Sequence, residues 1–169
     1  MKGTIMRIKS ILLVAAFLLL VMSACAKEVP VNGMGNKELD VTLYIGMQKD
    51  TVDELLGQSE ARPGHSYMYY VQDADNWISV QYTASDQYAI ALSTGGKGWR
   101  IQDESCKIGS DAEKLSSRFV LDESYVARDY YVAYYDKDLT YNIEPSEIRY
   151  RISAQIIEDS VQLITVRLV

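Results

Sequence analysis

The sequence has few of the residue types that build catalytic and metal-binding sites. Its 169 residues include one histidine, His65, and two cysteines, Cys25 and Cys106. Metal sites need several histidine, cysteine or carboxylate ligands in one place, and nucleophilic catalysis needs a base beside the nucleophile. A single histidine in a loop beside Gly64 provides neither arrangement. We therefore predict no catalytic residue, no metal ion and no cofactor, and we interpret the chain as a non-enzymatic protein.

Motifs for nucleotide binding, hydrolysis and calcium binding are also missing. The glycine-rich stretch 95–98 lacks the spacing of a phosphate-binding loop, and no GxSxG element occurs. The acidic stretch 73–76 does not continue into the Gly and Glu of a calcium loop. The 23 acidic residues allow many carboxylate pairs, but nothing selects one of them. A module that binds or hydrolyses cell-wall sugar or peptide therefore stays as the alternative function.

The sequence has no apolar run long enough to cross a bilayer as a helix. The run from Ile11 to Met22 is 12 residues long, whereas a membrane span needs roughly 20. Lys2, Arg7 and Lys9 give the start of the chain a positive charge without any acidic residue. A basic start, a short apolar run and small residues before a cleavage point are typical of a secretory signal. We predict that residues 1–24 are removed as a signal peptide.

Cys25 directly follows this segment. The four residues 22–25, Met-Ser-Ala-Cys, resemble the lipobox of bacterial lipoproteins, in which the cysteine is acylated and becomes the new N-terminus. Each buried methylene of an acyl chain contributes about 0.8 kcal/mol to membrane binding, so two or three chains hold a protein stably. We predict lipidation at Cys25 and a location at the extracytoplasmic face of the cell membrane. The alternative is an ordinary secretory signal cut near Ala24.

The predicted mature chain is strongly acidic. Removal of residues 1–24 leaves 145 residues with 14 basic and 23 acidic side chains, a net charge of −9. Such a surface repels polyanions, so we predict that nucleic acid is not a partner. With Cys25 lipidated, Cys106 has no partner for a disulfide within the chain. A packed small residue, a reactive thiol and an intermolecular link remain the three interpretations of Cys106.

Turn-forming and periodic segments divide the mature chain. Residues 25–40 are rich in Gly and Asn, and we expect a flexible tether there. Apolar residues at positions 52, 55 and 56 predict a short helix over 47–56, which Gly57 ends. Alternating, tyrosine-rich stretches predict β-strands. The predicted strands cover residues 67–72, 77–82, 88–92, 130–135, 139–143, 149–156 and 161–168.

The pair Ile45-Gly46 recurs as Ile108-Gly109, at an offset of 63 residues. In both places an apolar residue follows at helical spacing, and Ser110 with Glu113 fits a capping box. We therefore predict two tandem repeats, at residues 41–104 and 105–169. The predicted fold class is α+β, with each repeat formed by a short helical region packed on an antiparallel β-sheet.

The segment from Ile45 to Gly57, IGMQKDTVDELLG, resembles the opening of the BamE-like (SmpA/OmlA) lipoproteins and of the tandem-repeat relatives of the β-lactamase inhibitory protein. The resemblance implies a helix-on-sheet fold and a lipid anchor. It implies no catalytic or ligand-binding residue, because the shared positions are structural. Gln48 departs from the motif, which has Ser or Thr there. The matching residues are Gly46, Met47, Val52, Leu55, Leu56 and Gly57.

Tyrosine is abundant, with 13 in the chain. Aromatic rings exposed on a sheet form rigid contact surfaces for protein partners, although tyrosine is also an ordinary half-buried strand residue. We predict that the chain binds an envelope or secreted protein through the solvent face of its sheets. A purely structural spacer is a further alternative. The predicted contact residues are Tyr131, Tyr135, Tyr70 and Trp77.

Overall fold

The protein is mostly β-structure. The computed structural model describes residues 32–101, 106–115, 117–124, 129–135 and 148–169; the predicted signal peptide, Cys25 and the strand predicted at 139–143 lie outside them. In the described part, 52% of the residues are in strands and 9% are helical, with a single α-helix. The prediction of an α+β fold with a helical region in each repeat is therefore wrong. Instead, two antiparallel sheets pack around one core.

Eleven strands and one helix follow each other along the described chain. The helix α1 is Lys49–Leu56. The strands are β1 (Gly33–Asn36), β2 (Val41–Tyr44), β3 (Ser59–Arg62), β4 (Ser66–Tyr70), β5 (Trp77–Tyr82), β6 (Ala89–Thr94), β7 (Trp99–Arg100), β8 (Val120–Leu121), β9 (Asp129–Tyr135), β10 (Tyr150–Ile157) and β11 (Ser160–Leu168).

The smaller sheet has the order β2-β1-β7. Its middle strand, β1, lies within the stretch that we expected to be a tether. All four residues of β1 are buried, and Met34 is 0% exposed. The side-chain amide of Asn36 donates to the carbonyl oxygen of Lys97 and accepts from the amides of residues 38 and 39. These contacts hold a glycine-rich segment as a strand, although its composition alone favours flexibility.

The larger sheet has the order β3-β4-β5-β6-β11-β10-β9-β8. Each half of the chain contributes four consecutive strands, and the halves join where β6 pairs antiparallel with β11. The last hairpin of each half has a register shift at the same place. One shift follows Gln81, opposite Ala91, and the other follows Gln155, opposite Leu163. Strand order and irregularities therefore correspond between the two halves.

The two Ile-Gly turns also have equivalent hydrogen bonds. The amide of Gly46 donates to the carbonyl of Ala89 at the start of β6, and the amide of Gly109 donates to the carbonyl of Val161 near the start of β11. Both glycines have positive φ angles, 91° and 81°, which a side chain would make unfavourable. The sequence match thus marks a turn that each half uses to contact its last strand.

The helical content of the two halves differs. In α1, Val52 and Leu56 face the core, and Gly57 ends the helix with φ 83°. The second half has only a three-residue 3-10 turn, Ala112–Lys114, in its described part 106–115 and 117–124. The expected capping box does not form there. The hydroxyl of Ser110 instead donates to the carbonyl of Lys107 at 2.6 Å, and the chain after Lys114 turns to extended geometry.

Candidate functional site

The larger sheet has one face on the core and one facing outward. Residues directly opposite each other in the register share a face, and the face alternates along each strand. Val80, Leu92 and Val166 lie in register on the core side and are fully buried. Ser79, Ser93 and Thr165 lie in register on the other side, which we call the open face, and are half-buried.

A groove of about 510 Å³ lies on the open face. Its walls come from β4, β5, β6 and β11, so both halves of the chain contribute to it. Cavities of this size are typical of sites for small ligands or short chain segments. Ile90 reaches the groove because β6 has an extra residue opposite the Gln81–Tyr82 step. The lining residues are Ser66, Ser79, Gln81, Ile90, Ala91, Ser93, Thr165, Arg167 and Leu168.

Four hydroxyl groups form two pairs in the lining of the groove. Ser66 Oγ lies 2.9 Å from Ser79 Oγ, and Ser93 Oγ lies 2.9 Å from Thr165 Oγ1. Each hydroxyl has one hydrogen to donate, so a pair uses one hydrogen internally and keeps the other. Neither pair has another side-chain acceptor among the described residues. Each pair can therefore donate one hydrogen bond to a bound molecule.

The groove is open because small residues flank Gln81. The cross-strand neighbours of Gln81 are Ser66 and Ala91. At the corresponding place in the second half, Gln155 has Tyr130 and Leu163 as its neighbours. Gln81 is exposed, whereas Gln155 is only 5% exposed. Large side chains thus fill the space beside Gln155 in the second half, whereas the equivalent space beside Gln81 in the first half is open.

Among the described residues that line the groove, Arg167 alone is charged. Arg167 lies directly opposite Arg151 in the β10–β11 register, and like charges in such pairs repel. Arg151 is paired with Asp122, with 2.7 Å between Nη2 and Oδ2. Hydrogen bonds from Ser124, and also the charge of Arg151, lower the pKa of Asp122. Arg167 has no ion-pair partner in the described part of the chain, so Asp122 pairs with only one of the two arginines.

A second group of polar side chains connects α1 with the sheet. Tyr69 donates to Asp53 Oδ1 at 2.7 Å and lies 3.0 Å from the Tyr82 hydroxyl, while Lys49 pairs with Asp53 at 2.5 Å. Burial raises the pKa of Tyr82 to about 12 and also raises that of Tyr69. His65 contacts Asp86 at 2.8 Å. Each of these side chains has a partner within the group. We therefore interpret the contacts of Asp53 and Lys49 as structural ones that hold α1 against the sheet.

The four predicted contact residues do not form one surface. Tyr70 and Trp77 are cross-strand neighbours on the open face, and Tyr70 is 42% exposed. Tyr131 and Tyr135 lie on the core side, where Tyr131 packs against the core and Tyr135 is 4% exposed. Their neighbours across the sheet are Ala154 and Tyr150. The small Ala154 leaves room for a ring on the core side.

Trp77 has a structural role in the region where β6 ends. A Cβ atom on Gly95 would lie 3.1 Å from the Trp77 ring, and one on Gly96 would lie 2.7 Å from the Trp77 backbone nitrogen. Only glycine allows this close approach of the chain to Trp77. Neither Trp77 nor Tyr70 is among the described residues that line the groove, and a partner contact at either residue stays a prediction.

Cys106 is a free cysteine in the buried core. Cys106 is 0% exposed, and burial raises its thiol pKa to about 12. Within the described ranges, no group of three or more His, Cys, Asp or Glu side chains could hold a metal ion. No helix there has the length and apolar character needed to cross a membrane. Cys25, the predicted lipidation site, lies outside the described residues.

The sequence interpretation missed the residues of the groove. Ser79 and Gln81 alternate with buried residues in β5, as Thr165 and Arg167 do in β11, and this pattern indicates an outward face. It does not show that the two strands meet across β6. The Ser93–Thr165 contact joins residues 72 positions apart, and it depends on the pairing of β6 with β11.

No family model, no curated protein and no solved structure matches this chain. The resemblance of residues 45–57 to the BamE-like lipoproteins therefore stays a prediction. We therefore describe the protein by its own fold and groove. It is a two-sheet β-protein whose halves correspond in strand order, with a polar groove on the open face of the larger sheet.

Proposed function

We propose that this protein is a lipid-anchored, non-enzymatic binding module of the cell envelope, which holds a segment of an envelope or secreted protein in the groove. The observation that carries the proposal is the groove itself, a concavity of about 510 Å³ on a sheet face with half-buried or exposed lining. Lipidation of Cys25 would place this face outside the cytoplasm, among envelope and secreted proteins.

The composition of the groove supports a protein segment as the ligand. Hydroxyl and amide groups in the lining can bond to peptide carbonyl and amide groups. Ile90 and Ala91 provide an apolar wall for a side chain. Sugar rings in proteins commonly stack on aromatic rings, and none of the nine lining residues is aromatic. The groove thus favours a peptide segment over the cell-wall sugar of the alternative function.

Filling the groove tests the proposal. The variant Ser66→Tyr/Ala91→Leu gives the first half the large residues that the second half has beside Gln155. Because the second half folds with such residues, we expect the variant to fold. The full, anchored chain would be crosslinked in intact cells and captured, and its partner identified by mass spectrometry. We expect the variant to lose that partner.

A matched control adds the same two side chains elsewhere. Thr51→Tyr/Glu54→Leu changes two exposed positions of α1, away from the groove. The control should capture the same partner as the unchanged chain. Equal capture by the groove variant, with a normal unfolding transition, would contradict the proposal.

A further inference from the structure

The charge arrangement beside the groove identifies the chemistry of the partner segment. Among the lining residues that the structure describes, there is one cation, Arg167, and no carboxylate. The chain as a whole, by contrast, has a net charge of −6. Arg167 also faces Arg151 across the strands, and Asp122 neutralises only one of the two. A carboxylate of a bound molecule would neutralise the charge of the second arginine, Arg167.

The hydrogen-bonding groups of the groove can also bind a ligand group that accepts hydrogen bonds. Each hydroxyl pair keeps one hydrogen to donate, and Arg167 presents five guanidinium hydrogens in a planar fork. Gln81 uses its amide nitrogen on the Gly64 carbonyl at 3.2 Å and retains a second amide hydrogen. The groove therefore offers several hydrogens to donate, those of Arg167 on a cation, beside the acceptor oxygens of the hydroxyls and of Gln81. A carboxylate accepts several such bonds at once.

We propose that Arg167 is a specificity-determining residue, which binds the side-chain carboxylate of an Asp or Glu in the partner segment while the hydroxyl pairs bond to adjacent peptide carbonyls. The inference rests on the proposed function, since it names the chemistry of the segment in the same groove. The apolar wall of Ile90 and Ala91 contacts a neighbouring side chain of that segment.

Selection from random peptides tests this proposal. The immobilised mature chain would be mixed with a pool of random hexapeptides that have acetylated and amidated ends, and the retained peptides sequenced by mass spectrometry. We expect enrichment of Asp and Glu at one position. For a selected peptide, Glu→Gln should weaken binding about tenfold, the effect of losing a hydrogen bond to a charged group. Added salt should weaken the binding of the Glu peptide more than that of the Gln peptide.

Variants of the chain assign the effect to Arg167. Arg167→Gln should remove the preference for Asp and Glu, and Arg167→Glu should replace it with a preference for Lys and Arg. The control is Lys114→Gln, because Lys114 is exposed in the 3-10 turn, away from the groove, and already paired with Asp111 at 2.7 Å. This control should keep the original preference.

The outcomes separate the two proposals. Retention of peptides without any acidic preference, or the same preference in Arg167→Gln, would overturn the inference and leave the groove function intact. Binding only of a second pool, with free C-termini and no acidic residues, would overturn it too, since the carboxylate would then be terminal. If no peptide is retained above a surface without protein, the proposed function itself fails.

Discussion

The buried tyrosine pair Tyr69 and Tyr82 gives the fold a defined dependence on alkaline pH. Burial raises the pKa of Tyr82 to about 12, whereas an exposed tyrosine titrates near 10. Between these values the unfolded chain loses a proton that the folded chain keeps. The stability from this group is therefore complete below about pH 10 and is lost as the pH rises through about 12.

We expect the free energy of unfolding to fall above about pH 10, by up to roughly 1.4 kcal/mol per pH unit for each tyrosine. Tyr82→Phe should reduce this slope, and Tyr70→Phe should not, because Tyr70 is exposed. Urea unfolding at several pH values measures both slopes. Equal slopes in the two variants would contradict the role of the buried pair.

The thiol of Cys106 should be unreactive in the folded protein. Cys106 is 0% exposed and its thiol pKa is raised to about 12, so almost no thiolate exists near neutral pH. In a Cys25→Ser background, we expect a thiol reagent at about pH 8 to label Cys106 only after denaturant is added. Labelling of the folded protein at the rate of the unfolded chain would restore the reactive-thiol interpretation.

At the level of elements, β1 is a core strand rather than part of the tether. Met34 is 0% exposed, and replacing a buried Met with Ala costs about 2–5 kcal/mol. We expect Met34→Ala to destabilise the protein by this amount. Met68→Ala, on the open face, is the matched control and should cost about 1 kcal/mol or less. A Met34→Ala protein as stable as the control would show that β1 contributes little to the fold.

The sequence predicted several elements well because their patterns are local. Strand β5 has the predicted bounds, Trp77–Tyr82; β9 and β11 begin one residue before their predicted starts, and β10 is displaced by one residue at both ends. Strand β1 was missed because its burial comes from distant contacts of Met34 and Asn36. The second helical region was predicted wrongly because Ser110 bonds back to Lys107 instead of capping a helix.

The groove could not be predicted for a related reason. Its donors are arranged by strand pairings between distant parts of the chain, and the alternation of polar residues indicates only that they face outward. Tyr131 and Tyr135 lie on the core side and not on the solvent face expected for them, because alternation separates two faces without saying which is buried. The pairing of Tyr131 with the buried Ala154 shows that Tyr131 and Tyr135 face the core.

At the level of the whole molecule, the two halves share one sheet and one core. Strands β6 and β11 pair over four residues, and both halves contribute to the buried cluster. We expect one cooperative unfolding transition. Both tryptophans, Trp77 and Trp99, lie in the first half, so their fluorescence reports on that half alone.

A change in the second half should therefore shift the tryptophan signal. Ile152→Ala removes a buried side chain of β10 and should lower stability by about 2–5 kcal/mol in urea unfolding followed by fluorescence. Ile157→Ala, at a position that is 43% exposed, is the control and should have little effect. An unchanged tryptophan transition in Ile152→Ala would mean that the halves unfold separately.

The most direct test of the central claim is to locate the bound partner on the surface of the anchored protein in living cells. A photo-crosslinking amino acid would replace Leu168, at the edge of the groove, or Leu55, on α1; the two side chains are 44% and 45% exposed. We expect a discrete crosslinked protein adduct from position 168 and none from position 55. No adduct from position 168 in a folded, membrane-bound chain, or equal adducts from both positions, would contradict binding in the groove.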